Sequence, residues 1–381
     1  MKRICAYILI FILLFSYTGC GKKETSDKLY EAIFTELGMP LKDYYKTGSI
    51  ERCAWDVEIY EGELYVASGD YDTNKGPVNI WSYNLKDRTW KDRGGLEDEQ
   101  IERFYIFDNK LYAPGSDSMG TWEYGNYYCY EDGTWIANTT LPGGVHNFDL
   151  IKFEGKLFAG LGVEPGNAPV VMSKDEKEWT PVHFYKKDKK INTQNQILIR
   201  VYDFFVLDHD LYAYLYLSSG SEVQRELYRF EDGKFVYYSK LPSEFEGKRN
   251  VYAHVNQKVE FKGKMYIAAR NLYTTGDMKN AKLCNLDKKV VVTDLRVVKN
   301  KLYVLANESI VKDDGSEQFK ISVFESKDGK NFNEKFYFYY AVPALSFTYG
   351  DEAFYFGMGY GVRAKKEYPE NGMILEVRYR R

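Results

Sequence analysis

The chain is poor in the residues that carry most recognisable chemistry. It has four histidines in 381 residues and five cysteines, none of them in a CxxC spacing. Two of the cysteines fall within the first 20 residues, which leaves Cys53, Cys129 and Cys284. An odd number of widely spaced thiols argues against a disulfide framework and against a structural zinc site, so three free thiols are expected. A nucleophile elbow, a Walker loop, an HExxH pair and a dinucleotide-binding glycine fingerprint are absent from the sequence. An excess of positive charge is absent as well. With 52 basic against 55 acidic residues, nothing attracts a nucleic acid, and no such partner is expected. Long apolar runs are confined to Ile4–Phe15, too short to span a bilayer comfortably.

That run follows Lys2 and Arg3 and precedes Tyr17-Thr18-Gly19-Cys20, the order of a secretory leader. Small residues at the two positions before Cys20 resemble the lipobox of bacterial lipoproteins, although Tyr17 stands where Leu is usual. The resemblance implies that residues 1–19 are removed and that Cys20 is lipidated. The chain would then touch the membrane through its lipid alone and lie outside the cytoplasm. An ordinary signal peptide or a single anchor helix is the alternative. Residues 20–40 read as a tether containing a short amphipathic helix over Ser26–Leu37, with Ser26 as N-cap and Gly38 as stop.

What is abundant is aromatic: 35 Tyr and 23 Phe. Such residues favour strands, and they recur in a pattern. An apolar strand end, a two-residue turn, a polar residue and then a Leu-aromatic pair appear first at Ile59–Tyr65. The pair returns as Leu111-Tyr112, Leu157-Phe158, Leu211-Tyr212, Met265-Tyr266, Leu302-Tyr303 and, more weakly, Ala353-Phe354. The turns are Glu61-Gly62, Asp108-Asn109, Glu154-Gly155, Asp208-His209, Lys262-Gly263, Lys299-Asn300 and Gly350-Asp351, each with a residue suited to the positive φ of a tight hairpin. A second hairpin follows in several units, at Lys86-Asp87-Arg88, Glu131-Asp132-Gly133, Glu231-Asp232-Gly233 and Lys327-Asp328-Gly329.

Copies 37–54 residues apart, each holding several strands, have the period of propeller blades. The expected fold is all-β, a seven-bladed β-propeller of four-stranded antiparallel blades over residues 41–381. Ser173-Lys174-Asp175 with Trp179, and Ser326-Lys327-Asp328-Gly329 with Phe332, resemble degenerate Asp-box turns of sialidase-like propellers. Kelch-type propellers are a second resemblance, without their glycine doublet. Met373–Arg380 reads as the third strand of the last blade. Leu41–Ile50 is expected to supply the missing outer strand and close the ring.

Ligands of such a fold bind where the longer loops converge. In the first such loop Asp70, Asp72 and Asn74 alternate like the first oxygen ligands of a calcium loop. Trp81 stands where the bidentate Glu would be. A polar turn capped by its own side chains is the alternative. No cofactor is required, and calcium is the one considered. The second loop carries Asp117 and then Trp122 and Tyr124, whose aromatic faces suit a sugar ring or a peptide; a long loop folded over the channel mouth is the alternative. His146, with Asp149 nearby in sequence, sits where an inner strand begins, and a structural role is weighed against that of general base. Glu164, Arg200 and Arg270 complete the candidate face. Arg200, Arg270 and Arg363 could imitate a sialidase triad, but no motif joins them.

These residues point to a monomeric, surface-anchored protein that binds a glycan, peptide or partner protein without catalysis. The alternative is a carbohydrate-active hydrolase or lyase of sialidase-like shape, and fold analogy cannot choose between them. Replacing Cys20 with Ser is expected to abolish incorporation of labelled palmitate and to release the protein from the membrane fraction. Unchanged labelling would contradict the lipobox reading.

Overall fold

The computed structural model describes residues 31–46, 48–70, 75–120, 123–245, 257–286, 289–361 and 367–378. The leader, Cys20, Asp72, Asn74, Trp122, His254 and Arg363 lie outside the described residues.

Why the Leu-aromatic pair recurs is plain from where it lies. Glu63–Ala67 is an inner strand of a four-stranded antiparallel sheet with Asp56–Tyr60, Val78–Asn84 and Thr89–Leu96. Both faces of that strand are covered, so it reads as a continuous apolar run rather than an alternating one. Leu64 and Val66 pack to one side, in a cluster with Ala353 and Tyr355. Tyr65 and Ala67 pack to the other, with Leu111 and Ala113. The same hand-over repeats down the chain. Tyr112 shares a cluster with Leu157, Phe158 with Leu211, Tyr212 with Met265, Tyr266 with Leu302, and Tyr303 with Phe354. Tyr355 shares the cluster of Leu64, which returns the series to its start. Each buried Leu or Tyr of this kind contributes about 1.5–3 kcal/mol over its exposed state.

The fold is a β-propeller of four-stranded antiparallel blades with almost no helix. Five sheets are separate and four-stranded. After the sheet above come Tyr105–Phe107, Lys110–Pro114, Tyr124–Glu131 and Thr134–Pro142; then, further on, Gln257–Phe261, Lys264–Ala269, Asn271–Thr275 and Lys282–Leu283. Val291–Val298, Lys301–Val311, Glu317–Ser326 and Asn333–Tyr340 form the next. Between the second and third lies one ten-stranded sheet. It holds two antiparallel runs of four, Gly144–Phe153 to Thr180–Val182 and Leu198–Leu207 to Lys234–Lys240. They are joined where Gly162 pairs with Arg200 and Val163 with Ile199.

The last sheet corrects two expectations. Ala344–Gly350, Ala353–Met358 and Ile374–Val377 are completed by Thr35–Gly38, with Thr35 opposite Glu376. Closure by an N-terminal strand therefore holds, but Leu41–Ile50 does not supply it. Residues 40–44 form a turn, and Ile50–Arg52 a 3-10 helix. The expected helix over Ser26–Leu37 is absent from its described part. Ile33, which such a helix would bury, is 83% exposed. The open edge of Ile374–Val377 offers backbone partners that outweigh local helical periodicity. Trp90 fixes the added strand by donating from Nε1 to the Leu37 carbonyl at 2.9 Å, and Phe34 packs on Phe338 and Tyr340.

All seven hairpin turns carry positive φ at both central residues, the type I′ geometry that matches strand twist. His209 takes φ 66° in its turn, in keeping with a structural role. In the last copy the turn is Asp351-Glu352, because Gly350 pairs with Ala353. The Leu-aromatic equivalent is thus Phe354-Tyr355, one residue later than the sequence pattern suggested. On the same face, three turns share one hydrogen-bond pattern. Ser173, Thr275 and Ser326 hydroxyls accept backbone N–H groups, and Asp175, Asp277 and Asp328 each accept two more from the residues that follow. The middle turn of the three escaped the sequence reading.

Eight residues before the first residue of each pair, on or just ahead of the first strand of the unit, stand Asp56, Arg103, Asp149, Asp203, Gln257, Asp294 and Ser346. A register shift precedes Asp149, Asp203, Asp294 and Ser346. Asp56 accepts the Phe104 N–H at 2.9 Å, Asp149 the Phe204 N–H at 2.7 Å and Asp294 the Phe347 N–H at 2.9 Å. Each carboxylate thereby ties its strand to the next unit. Cations balance them. Lys258 bridges Asp149 and Asp203 at 2.7 Å each. Arg296 reaches Asp56 at 2.7 Å, Glu58 at 2.9 Å and Asp294 at 3.5 Å, and donates to the Phe347 carbonyl at 2.9 Å. Cys53, Cys129 and Cys284 are separate buried thiols.

Arg296→Met leaves Asp56, Glu58 and Asp294 buried without their cation. It is expected to lower unfolding free energy by about 3–5 kcal/mol, read from denaturant midpoints. A loss below about 1 kcal/mol would place the network among weak surface pairs.

Candidate functional site

The two faces of the propeller differ. One carries the tight hairpins. The other carries the longer connections, and several of its polar groups are buried: Ser68, Asp70, Asp98, Glu99, Gln100, Ser116, Ser118, Asn126 and Asn147. Most buried polar groups are hydrogen-bonded, and here their bonds knit loops from different sheets together.

Asp98 is the knot. It is fully buried and accepts the Asp117 N–H at 2.9 Å, the Tyr128 hydroxyl at 2.6 Å and Asn126 Nδ2 at 2.9 Å. Gly115 must lack a side chain, since a Cβ there would lie 2.3 Å from Asp98 Oδ2. Glu99 follows. Its N–H donates to the Asp117 carbonyl at 3.0 Å and its own carbonyl accepts the Asp70 N–H at 3.1 Å. The segment 97–100 is thereby threaded between the loops of Asp70 and Asp117. Asn147 extends the lattice, donating its N–H to the Gly115 carbonyl and its Nδ2 to the Asn126 carbonyl.

Burial raises the acids. Asp98 is pushed up to about 7 by desolvation, partly offset by its hydrogen bonds from Tyr128 and Asn126. Glu99 rises to about 7 through desolvation and the charges of Asp117, Asp98 and Asp70. Asp117 rises to about 6 through desolvation, against the pull of Arg200. His146 moves the other way, to about 4, because burial and then Arg200 disfavour its cation. Its Nδ1 lies 2.8 Å from the Ser116 carbonyl and 3.6 Å from Asp117 Oδ2. At neutral pH the imidazole is uncharged, and the carbonyl contact sets Nδ1 as the protonated nitrogen.

Next to His146 the surface becomes aromatic and cationic. His146 stacks on Phe148 at 5.3 Å. The Arg200 guanidinium lies 5.5 Å from the Phe148 ring and donates to the Tyr202 hydroxyl at 3.0 Å. His146 and Arg200 hold the same place in successive units, three residues before Asp149 and Asp203.

Of the residues singled out from sequence, Asp70 and Asp117 flank Glu99, and His146 and Arg200 adjoin Asp117. Tyr124, which opens a strand, and Glu164 and Arg270, in connections of the same face, are exposed and share no hydrogen bond or ion pair with that group among the described residues. Arg270 is a single linking residue with φ 71°. Asp149 does not serve His146; it accepts from Tyr105 and pairs with Lys258. Among the described residues no group of three His, Cys, Asp or Glu is arranged to hold a metal ion, and two of the three calcium candidates lie outside them. Asp98, Glu99, Phe148 and Tyr202 were missed. The acidic run Glu97-Asp98-Glu99, directly after a strand-ending Leu96, was the available signal.

No protein-family model and no curated protein matches the chain. Solved structures do. Virginiamycin B lyase from Staphylococcus aureus aligns with TM-score 0.52 and 10% identity, over 92% of this chain and 100% of that one. A streptogramin B lyase aligns with TM-score 0.51 and 9% identity, over 91% and 97%. The propeller fold is shared with both. At this identity the likeness extends to the fold alone.

The raised acids set a pH dependence. A carboxyl raised on folding contributes stability that is present below its unfolded value and is lost as pH rises through the folded one. Stability is therefore expected to fall between about pH 4 and 7, from the unfolded carboxyl values of Asp117, Asp98 and Glu99 to the folded ones, and to level off above. In Asp98→Asn that fall should shrink by on the order of 1–3 kcal/mol. His146, held neutral, acts oppositely and removes stability as pH drops from 6.5 towards 4. Thermal melts across pH test this; a midpoint that climbs from pH 5 to 8 would contradict it.

Proposed function

We propose that the chain is an exported, Cys20-lipidated binding protein, whose seven-bladed propeller captures an extracellular glycan, peptide or protein on its long-loop face without chemistry of its own. The seven-blade count rests on the closed series of Leu-aromatic hand-overs and treats the ten-stranded sheet as two blades. The observation that carries the binding reading is the asymmetry of the faces. One face ends in short turns. The other holds a preorganised lattice of buried polar groups, with His146, Phe148 and Arg200 at its edge.

Binding is favoured over catalysis because the chemistry of the face is largely spent on structure. Asp98 accepts three internal donors. His146 has Nδ1 on a carbonyl, and a value near 4 makes its imidazole a weak base at neutral pH. One feature keeps an enzyme as the second reading: burial raises Glu99 and Asp117 to about 7 and about 6, the range in which a carboxyl can exchange protons near neutral pH. The fold likeness to virginiamycin B lyase is compatible with it and does not select it.

Glycan and peptide arrays probed with the mature chain test the proposal. A ligand should be retained, lose at least tenfold in affinity with His146→Ala and keep it with Glu154→Lys in an opposite-face turn. No ligand, or the reverse sensitivity, would overturn the reading. Turnover of the captured ligand, abolished by Glu99→Gln, would establish the enzyme instead.

A further inference from the structure

Arg200, Tyr216 and Arg225 form one row across three neighbouring strands. Arg200 pairs with Tyr216, and Tyr216 with Arg225. Directly opposed residues project to the same side of a sheet, and two strand spacings put the outer two about 10 Å apart. All three are partly exposed near the loop end of their strands. Each guanidinium is held by a ring: Arg225 lies 5.5 Å from the Tyr216 ring, and Arg200 lies 5.5 Å from Phe148 and 5.9 Å from Tyr202. Tyr202 and Tyr216 are themselves packed at 5.6 Å, edge to face. The result is a continuous ladder from His146 to Arg225.

We propose that this ladder is the subsite for an anionic saccharide, with its acid group on the Arg200–Arg225 pair and its ring against Tyr216. The proposal rests on the long-loop face being the ligand face and adds the ligand class. A guanidinium fixed by an aromatic face has lost little freedom still to be lost on binding, and it offers two parallel donors to a planar or tetrahedral oxyanion. The neighbouring groups argue for a sugar rather than an acidic peptide. Asp117, whose carboxyl feels the Arg200 charge, would repel a run of carboxylates, but it can accept hydroxyl groups of a saccharide bearing one acid per ring. The neutral His146 adds no charge to either.

Calorimetric titration of the mature chain distinguishes the sources of the acid. The probes are a uronate tetrasaccharide, its carboxyl-reduced form, a sulfated neutral tetrasaccharide and poly-glutamate. The uronate or the sulfated sugar should bind, with affinity falling at least tenfold in Arg200→Gln and in Arg225→Gln, and in Arg200→Lys, which keeps charge but not the paired donors. Thermal melts of these variants should match the parent, which separates lost recognition from lost folding. The proposal is overturned if neither anionic sugar binds, if the carboxyl-reduced form binds as well as the uronate, if the Arg variants bind like the parent, or if poly-glutamate binds equally. Capture of a neutral glycan or a peptide on the arrays, still sensitive to His146→Ala, would overturn this subsite and leave the wider binding reading standing.

Discussion

The contact on which the rest depends is a carboxylate on the first strand of one unit accepting a backbone N–H from the next unit. Asp56, Asp149 and Asp294 each make it. Blades otherwise meet through apolar faces, which resist separation but do little to prevent sliding. A hydrogen bond from a fixed backbone group to a fixed side chain removes that freedom. Its cost is a ring of buried charge, which would be prohibitive alone. Lys258 and Arg296 neutralise part of it, and the desolvation that remains raises Asp294 and Glu58 above their ordinary values.

The candidate site is a consequence of that ring. His146 and Arg200 lie three residues before Asp149 and Asp203, across a bulge in each strand, so fixing the carboxylates fixes both side chains. On the neighbouring side, Asp98 does for the loops what the ring does for the strands. A single buried carboxyl organises Asp117, Asn126 and Tyr128. The same desolvation that makes these bonds effective raises Asp98, Glu99 and Asp117 towards neutral values. Structure and electrostatics at this face therefore have one origin.

The propeller was legible because its strands are buried on both faces and its turns are two residues long. Both constraints act locally, so Leu64-Tyr65 and Glu61-Gly62 announce themselves. The last copy slipped by one residue because Gly350 resembles a turn residue, while the backbone turns at Asp351-Glu352. The closing strand was misplaced for a different reason. Thr35–Gly38 has no strand signature of its own and is recruited by the exposed edge of Ile374–Val377, a partner more than 300 residues away. The site was half legible. His146, Arg200 and Asp117 stood out by residue type and loop position, whereas Asp98 and Glu99 matter through burial, which no spacing reveals. The tether and the calcium reading fall largely outside the described residues.

The central claim is that the long-loop face, organised by Asp98 and bordered by Arg200, is where this protein meets its ligand. Hydrogen–deuterium exchange of the chain, with and without the strongest array ligand, tests it directly. Added protection is predicted in residues 97–101, 115–119, 144–148 and 198–202. Protection confined to the type I′ turns of the opposite face would contradict it.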